Sequence, residues 1–432
     1  MFEDYSYKRY LYLFLLFWGL VLPTPSFADE ETKISCVVCH SELNGPILEA
    51  VNQWKRSIHK NVGVTCADCH GGNPNSIENA MDKKAGFRGK PKVEDIPGLC
   101  ANCHADAKKM RQYNIRVDQY VEYKTSIHGI LLEKGDTNVA TCVSCHGNHE
   151  IRKKNDPLST VYHTNVPETC GKCHSDREKM RPYGIPINQL DDYKKSYHGQ
   201  ILYNKVKGKN PALAPNCADC HGIHGAIPPG VNEVVNVCGN CHTKTAGYYR
   251  EGPHYQAMQE IGLPRCVDCH GNHNIQFPSV EMFTGKGRGE CGGCHEEGSP
   301  PFKKGERVKE LLVKAIRGIE EGEEEVKEIR YSGRNIDELL LDIDEARGMV
   351  TEAITITHTL DLERVKKLLD DSTKRIDEIS YVAEKVRKDI KTRHRAFLSI
   401  ITLILTIVTL LILKLRSLKG NPHTDLSRHK EG

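Results

Sequence analysis

Residues 100–149 read CANCHADAKKMRQYNIRVDQYVEYKTSIHGILLEKGDTNVATCVSCHGNH, and Cys170 opens a second stretch, CGKCHSDREKMRPYGIPINQLDDYKKSYHG, that ends in CADCHGIH at His224. Residues 100–132 lie over 170–202 without a gap and match at sixteen of 33 positions, including Asp106/Asp176, Met110/Met180, Arg111/Arg181, Tyr113/Tyr183, Tyr123/Tyr193 and His128/His198. The unit is therefore a CxxCH, a helical stretch, SxHG, and then CxxCHGxH. Self-similarity of this kind marks an array of stacked units. Working outward, the array starts with a pair of CxxCH sites (Cys36, Cys66), passes through the two full units and a shorter one (Cys238 to His273), and ends on a single site at Cys291.

Nine pentapeptides share the form: Cys36-Cys39-His40, Cys66-Cys69-His70, Cys100-Cys103-His104, Cys142-Cys145-His146, Cys170-Cys173-His174, Cys217-Cys220-His221, Cys238-Cys241-His242, Cys266-Cys269-His270 and Cys291-Cys294-His295. They use all 18 cysteines of the chain. Two cysteines three apart lie on one face of a helical turn and can form thioethers to the two vinyl groups of one haem, while the adjacent histidine reaches the iron. Zinc sites or a disulfide framework would not require a histidine after every pair. The pattern predicts nine covalently attached haems c.

Eight further histidines fall inside the array: His59, His128, His149, His163, His198, His224, His254 and His273. His59, His128 and His198 follow Ser57, Ser126 and Ser196 in SxH, and His254 takes the equivalent place before its CxxCH. His149, His224 and His273 stand three residues after a proximal histidine. All eight are expected to be distal iron ligands, although His163 has no mate in the repeat. Nine haems need a ninth distal ligand. Either His358, otherwise a surface histidine at a turn, folds back to serve, or Met110, Met180, Met258, Met282 or a lysine does, or one iron is open.

The ends of the chain are of other kinds. Lys8 and Arg9 precede an apolar run to Leu22, then Pro23, Pro25 and Ser26-Phe27-Ala28, the pattern of a signal peptide over residues 1–28. Residues 29–300 form the expected nonahaem domain. Residues 301–395 lack cysteine and carry heptad seams through Val308, Leu312, Ala315, Ile319, Gly322, Val326 and Ile329, and again through Leu362, Val365, Leu369, Ser372, Ile376, Ile379, Ala383, Val386 and Ile390. A break at Ser332-Gly333 and a turn near Asp361, a candidate N-cap, divide the stretch into three antiparallel helices, the middle one less regular. Residues 396–413 hold no charge and are long enough to cross a bilayer, so a transmembrane helix is placed at 396–415 and a tail at 416–432. Basic residues flank both ends of the span. Haem attachment outside the cytoplasm therefore decides the orientation: the bulk on the periplasmic side of the cytoplasmic membrane, the C-terminus in the cytoplasm. The expected fold class is mainly α, an irregular multihaem array with little strand, followed by a three-helix stalk and one C-terminal transmembrane helix.

Formal net charge is +3, with 60 Lys and Arg against 57 Asp and Glu, which gives no basis for nucleic-acid binding. Residues 29–300 hold 32 basic and 31 acidic side chains. Each ferric bis-histidine haem adds roughly one negative charge from its ring and propionates, so the loaded domain is acidic and attracts a basic partner or patch.

The paired CxxCH units with SxH and CHGxH resemble the multihaem cytochromes c of the doubled-CxxCH, cytochrome c3-like type. The segments VPETCGKCH (166–174) and VTCADCHGG (64–72) resemble those of periplasmic cytochromes that accompany quinone-linked membrane complexes. The resemblance covers about residues 34–300 and implies low-potential, bis-histidine haems in close succession. The C-terminal helices are also similar in kind to those that follow the haem arrays of octahaem hydroxylamine-oxidoreductase-like enzymes. This chain departs from them in its count of nine, its even pairing and the lack of a CxxCK site. Two functions follow. The first is electron transfer between a membrane quinol-oxidising subunit and periplasmic cytochromes or other redox proteins, with no catalytic residue. The second is a reductase or dehydrogenase of a small nitrogen or sulfur compound, which needs one five-coordinate haem. The ligand arithmetic favours the first and permits the second.

Overall fold

The computed structural model describes residues 34–229, 233–287, 289–330 and 336–419. The expected signal peptide, and the tail from residue 420, lie outside them. Among the described residues there is no strand, and short helices joined by turns alternate until residue 300. The mainly α expectation holds.

Two compact units divide the chain after Pro228. The boundary expected at residue 300, where the cysteines run out, falls inside the second unit. The physical reason is packing across that point: Phe302 is buried, and a Cβ on Gly305 would stand 2.5 Å from the carbonyl of Phe283 and 3.5 Å from Cys291 Sγ. Lys309 also reaches Glu281, 2.6 Å away. The last three CxxCH sites therefore belong with the helical bundle.

The first unit has little apolar interior of its own. Among the described residues its one cluster of buried apolar side chains is Val37, Val51 and Trp54, with Ile34 and Cys66 against it. Order comes instead from caps and tight turns. Six of the nine CxxCH sites lie on helices of two kinds. Ile96–His104 and Val166–His174 are nine residues long and carry proline near their start, where the missing N–H costs nothing. Cys66–His70, Cys142–His146 and Cys217–His221, and Cys266–His270 in the second unit, are five residues long. In these the N-cap backbone N–H donates to the side chain of the second x of CxxC: Thr65 to Asp68 (2.6 Å), Thr141 to Ser144 (3.0 Å), Asn216 to Asp219 (2.8 Å) and Arg265 to Asp268 (2.7 Å). From Cys66 to His221 the two kinds alternate along the chain, which is the pairing of the repeat in structural form.

In the second unit, helices Pro300–Ile329, Asp337–Ile356 and Leu362–Lys419 pack against one another as a three-helix bundle. Every residue of the first seam is buried, and in the third helix Val365 through Val386 are buried along the expected seam while Ile390 is exposed. Asp361 Oδ1 caps the third helix, accepting from the N–H groups of Glu363 and Arg364 at 3.1 and 3.2 Å. The middle helix is more regular than expected: Ile343, Ala346, Val350, Ala353 and Thr357 bury one 3-4 seam. Exposed Leu340, Leu341 and Ile354 beside small buried alanines hide that seam in the sequence. The third helix runs unbroken into the apolar stretch, none of which is buried, and it is long and apolar enough by length and composition to cross a membrane.

Candidate haem-binding array

The SxH segments show why those residue types recur. Ser126 and Ser196 sit between two short helices, and each Oγ accepts from the N–H of the glycine three residues on (Gly129, Gly199; both 3.0 Å) while donating back to the carbonyl of Tyr123 or Tyr193 (both 2.6 Å). The buried hydroxyl thus satisfies both backbones at a sharp bend and fixes where the following histidine points. A Cβ on Gly129 or Gly199 would stand 2.0 or 1.9 Å from those same carbonyls, so the G of SxHG is a steric requirement. Ser57 makes the same bend and donates to Ile151 O at 3.0 Å.

A further element repeats four times, and sequence reading missed it. Five residues before each of these histidines stands an aromatic donor: Trp54, Tyr123, Tyr193 and Tyr249. Trp54 Nε1 donates to Val64 O (2.9 Å), and the three phenols donate to Ala140 O (2.9 Å), Pro215 O (2.7 Å) and Pro264 O (2.6 Å). Each acceptor lies two residues before the first cysteine of a five-residue CxxCH helix. The contact therefore locks the distal-histidine segment to the next haem site. Its available signal was the fixed spacing of an aromatic ahead of SxH.

These segments bring histidines together in pairs. Ring centroids are 6.1 Å apart for His59–His104, 6.3 Å for His70–His149, 6.2 Å for His128–His174 and 6.3 Å for His146–His224 in the first unit. In the second they are 6.1 Å apart for both His254–His295 and His270–His358. An imidazole centroid lies about 1.1 Å from its nitrogen, and a metal–imidazole bond is about 2 Å, so two rings trans on one metal have centroids about 6.2 Å apart. The spacing fits one iron between each pair and is too wide for direct contact. Burial lowers the pKa of His59, His104, His128, His149, His174, His254, His270 and His358, and takes His146 down to about 4 with help from His224, so the rings are neutral and their lone pairs available. His70 Nδ1 donates to Gly89 O at 2.9 Å and His358 Nδ1 to Thr355 O at 3.0 Å, which frees Nε2 of each ring to face its partner.

The pairing is interleaved. His59 and His128 face the proximal histidine of the next nine-residue CxxCH helix, and His254 faces that of the Cys291 site. His149 and His224 reach back to the proximal histidine of an earlier five-residue one. Backbone bonds stitch the two types together: Ile58 N–H to Ile151 O (2.9 Å) and Ile127 N–H to Ala226 O (3.2 Å). His198 occupies the place in helix Tyr197–Leu202 that His128 occupies in its own, and the N–H of His273 bonds Asn272 as that of His149 bonds Asn148 (both 2.8 Å). His221 Nδ1 donates to Ile227 O at 3.3 Å, and His242 immediately precedes helix Thr243–Glu251.

Two expected site residues behave differently. His163 faces no imidazole. Its Nε2–H donates to Ala214 O (2.9 Å) and its Nδ1 accepts from Asn216 Nδ2 (3.1 Å), so both ring nitrogens are used. Through Asn216, the cap of Cys217–His221, it braces the start of that helix. His40 is half-buried and, among the described residues, has no imidazole opposite it.

The cysteines order the sites. Cys100 and Cys142 are close neighbours that shift one another's titration, as are Cys170 and Cys217, and Cys238 and Cys266. Cys36 stands close enough to Cys66 to raise its pKa, and the same holds for Cys103 on Cys69, Cys170 on Cys145 and Cys291 on Cys269. Within each unit, consecutive CxxCH sites are therefore adjacent in space.

Paired imidazoles at metal spacing over thioether-forming cysteines define a c-type haem protein. Two family models match: cytochrome c3 over residues 58–175 and the class III cytochrome C family over residues 186–295. The chain is a multihaem c-type cytochrome with cytochrome c3-like stretches at these residues, and it carries covalently bound haem c. It is similar to the multiheme cytochrome MtrA of Shewanella baltica (strain OS185), 24% identical over 229 residues that cover 49% of this chain and 53% of that one. The chain thus spans about half the length of this curated relative. No solved structure is matched.

Proposed function

We propose that the protein is a membrane-anchored nonahaem electron conduit on the periplasmic side of the cytoplasmic membrane, held by residues 396–415 with its C-terminus in the cytoplasm. The carrying observation is the set of six histidine pairs at iron spacing over contiguous cysteine pairs. Irons with two strong ligands exchange electrons without binding substrate, and histidine in place of methionine keeps their potentials low. His198 and His273 are distal ligands in the same register, and His358 brings the stalk into the array. His163 drops out of the ligand set.

The stalk constrains the partner. From Leu362, beside His358, to Arg395, at the edge of the apolar stretch, the third helix rises about 50 Å at about 1.5 Å per residue. The haem between His270 and His358 then stands far above the bilayer, out of reach of a quinol within it. The quinol-oxidising partner delivers electrons through a redox domain that stands out from the membrane to that height, or through a separate periplasmic carrier.

The test uses full-length protein in liposomes loaded with reduced menaquinol analogue. Mass of the intact chain should give nine haems. Reduction should be slow with quinol alone and fast with a soluble low-potential cytochrome added outside. Rapid direct reduction by quinol would overturn the conduit geometry, and a mass short of nine haems would overturn the count.

A further inference from the structure

We propose that the haem at Cys36, Cys39 and His40 is the one iron of the array left open for an outside ligand. The proposal rests on the reading of nine haem sites and locates within it a single binding position.

Three observations carry it. The pairing register is the first. A proximal histidine of the His104 or His174 kind is met by an SxH histidine lying just before the preceding CxxCH: His59 lies before Cys66 and serves His104, and His128 lies before Cys142 and serves His174. Among the described residues no SxH histidine faces His40 in this way. The second is the fate of the spare candidate. His163 is the only array histidine outside the repeat, and both its nitrogens are spent on Ala214 and Asn216. The other end of the array provides the third. There His358 supplies from outside the repeat the imidazole that His270 needs, and no described imidazole does so for His40.

The local structure suits entry of a ligand. Cys39 is exposed and His40 half-buried, on a helix of only seven residues, Ser35–Ser41. The apolar cluster of Val37, Val51 and Trp54 packs beneath the same helix. An iron held by His40 beside these apolar side chains would favour small monodentate donors of low charge over bulky or highly charged ones. The ligand class is therefore carbon monoxide or nitric oxide on ferrous iron, and imidazole-type bases or cyanide on ferric iron. The adjacent thioether site at Cys66 connects this iron to the rest of the array.

The experiment takes the full-length holoprotein in detergent. Low-temperature EPR of the oxidised protein should show a high-spin ferric signal equal to one haem in nine, which imidazole converts to low spin. The dithionite-reduced protein should bind one carbon monoxide per chain. In the Cys36→Ala/Cys39→Ala double variant, intact mass should fall by one haem and both signals should vanish. If that variant does not mature, His40→Gly keeps the thioethers: its high-spin signal should change shape, and excess imidazole, filling both axial positions, should convert it to low spin. A wholly low-spin spectrum with no carbon monoxide uptake overturns the proposal. So does uptake that persists unchanged in the double variant. An intact wild-type mass short of nine haems would instead strike the underlying haem count, so the two failures are distinguishable.

Discussion

The carbonyl oxygen of His358 lies 2.6 Å from where a Cβ on Gly252 would stand. Gly252 occupies, two residues before His254, the position that serine fills before His59, His128 and His198. Its backbone, φ −87° and ψ 162°, is that of Ser126 at −71° and 159°. The glycine is thus not needed for its own conformation. It is needed because the turn that carries His358 to His270 passes through the volume a side chain would take.

Restoring the repeat should therefore break the site. Gly252→Ser introduces a hydroxymethyl group against backbone that cannot yield cheaply, and His358 should withdraw from the iron facing His270. The expected outcome is one additional high-spin haem by EPR and one additional carbon monoxide bound per chain, as in His358→Ala. His358→Met should instead keep the iron low-spin and raise the midpoint potential of that haem, since methionine ligation favours the ferrous state. A Gly252→Ser protein with an unchanged spin count would show that the turn can move aside.

The aromatic donors should matter for local stability more than for haem count. Tyr123→Phe, Tyr193→Phe and Tyr249→Phe each keep the ring and orphan a partly buried carbonyl, at a cost of about 1–3 kcal/mol. The loss should appear as faster amide exchange in the segment that starts the next CxxCH helix, residues 140–146 for Tyr123, with the optical spectrum unchanged. Trp54→Phe should do the same at residues 64–70. If exchange there does not change, the donors are incidental.

His163 and Asn216 give a sharper contrast between the sequence reading and the geometry. As a ligand, His163 replaced by alanine would open an iron. As a support for the Asn216 cap, His163→Ala should leave every haem's spin state as it was, lower the stability of the Cys217–His221 helix by about 1 kcal/mol, and be mimicked by Asn216→Ala. EPR integration beside thermal loss of the Soret band separates the two.

What was legible in the sequence was whatever has a residue-type signature. The CxxCH sites, the SxH and CHGxH histidines and the outer heptad seams are marked by rare or periodic residues. The middle helix buries Ala346 and Ala353 and exposes Leu340 and Leu341, so its hydrophobicity misreports its face. The aromatic anchors end on backbone carbonyls, which leave no trace in residue identity, and Trp54 differs from its three tyrosine counterparts. The meaning of Gly252 depends on a carbonyl from a helix turn more than a hundred residues on. The unit boundary after Pro228 depends on Phe302 and Gly305 packing against the last haem site, which the exhaustion of cysteines at Cys294 conceals.

The distribution of buried apolar side chains predicts how the protein behaves without haem. The bundle owns the large cluster, from Val308 and Leu312 through Ile343, Ala346 and Val350 to Leu369, Ile376 and Ile379, and this core needs no cofactor. The first unit buries few apolar side chains, and its segments are held by hydrogen bonds around spaces sized for iron-bridged imidazoles. Chain expressed in the cytoplasm from residue 29 on, and so without haem attachment, should keep the helical far-ultraviolet signal of residues 300–395 and yield a protease-resistant fragment of that region. Residues 34–228 should be degraded, because their ordering entropy is not offset by a protein core. Protection of the first unit in haem-free protein would show that its caps and interleaved backbone bonds suffice, and that the haems enter a scaffold already folded.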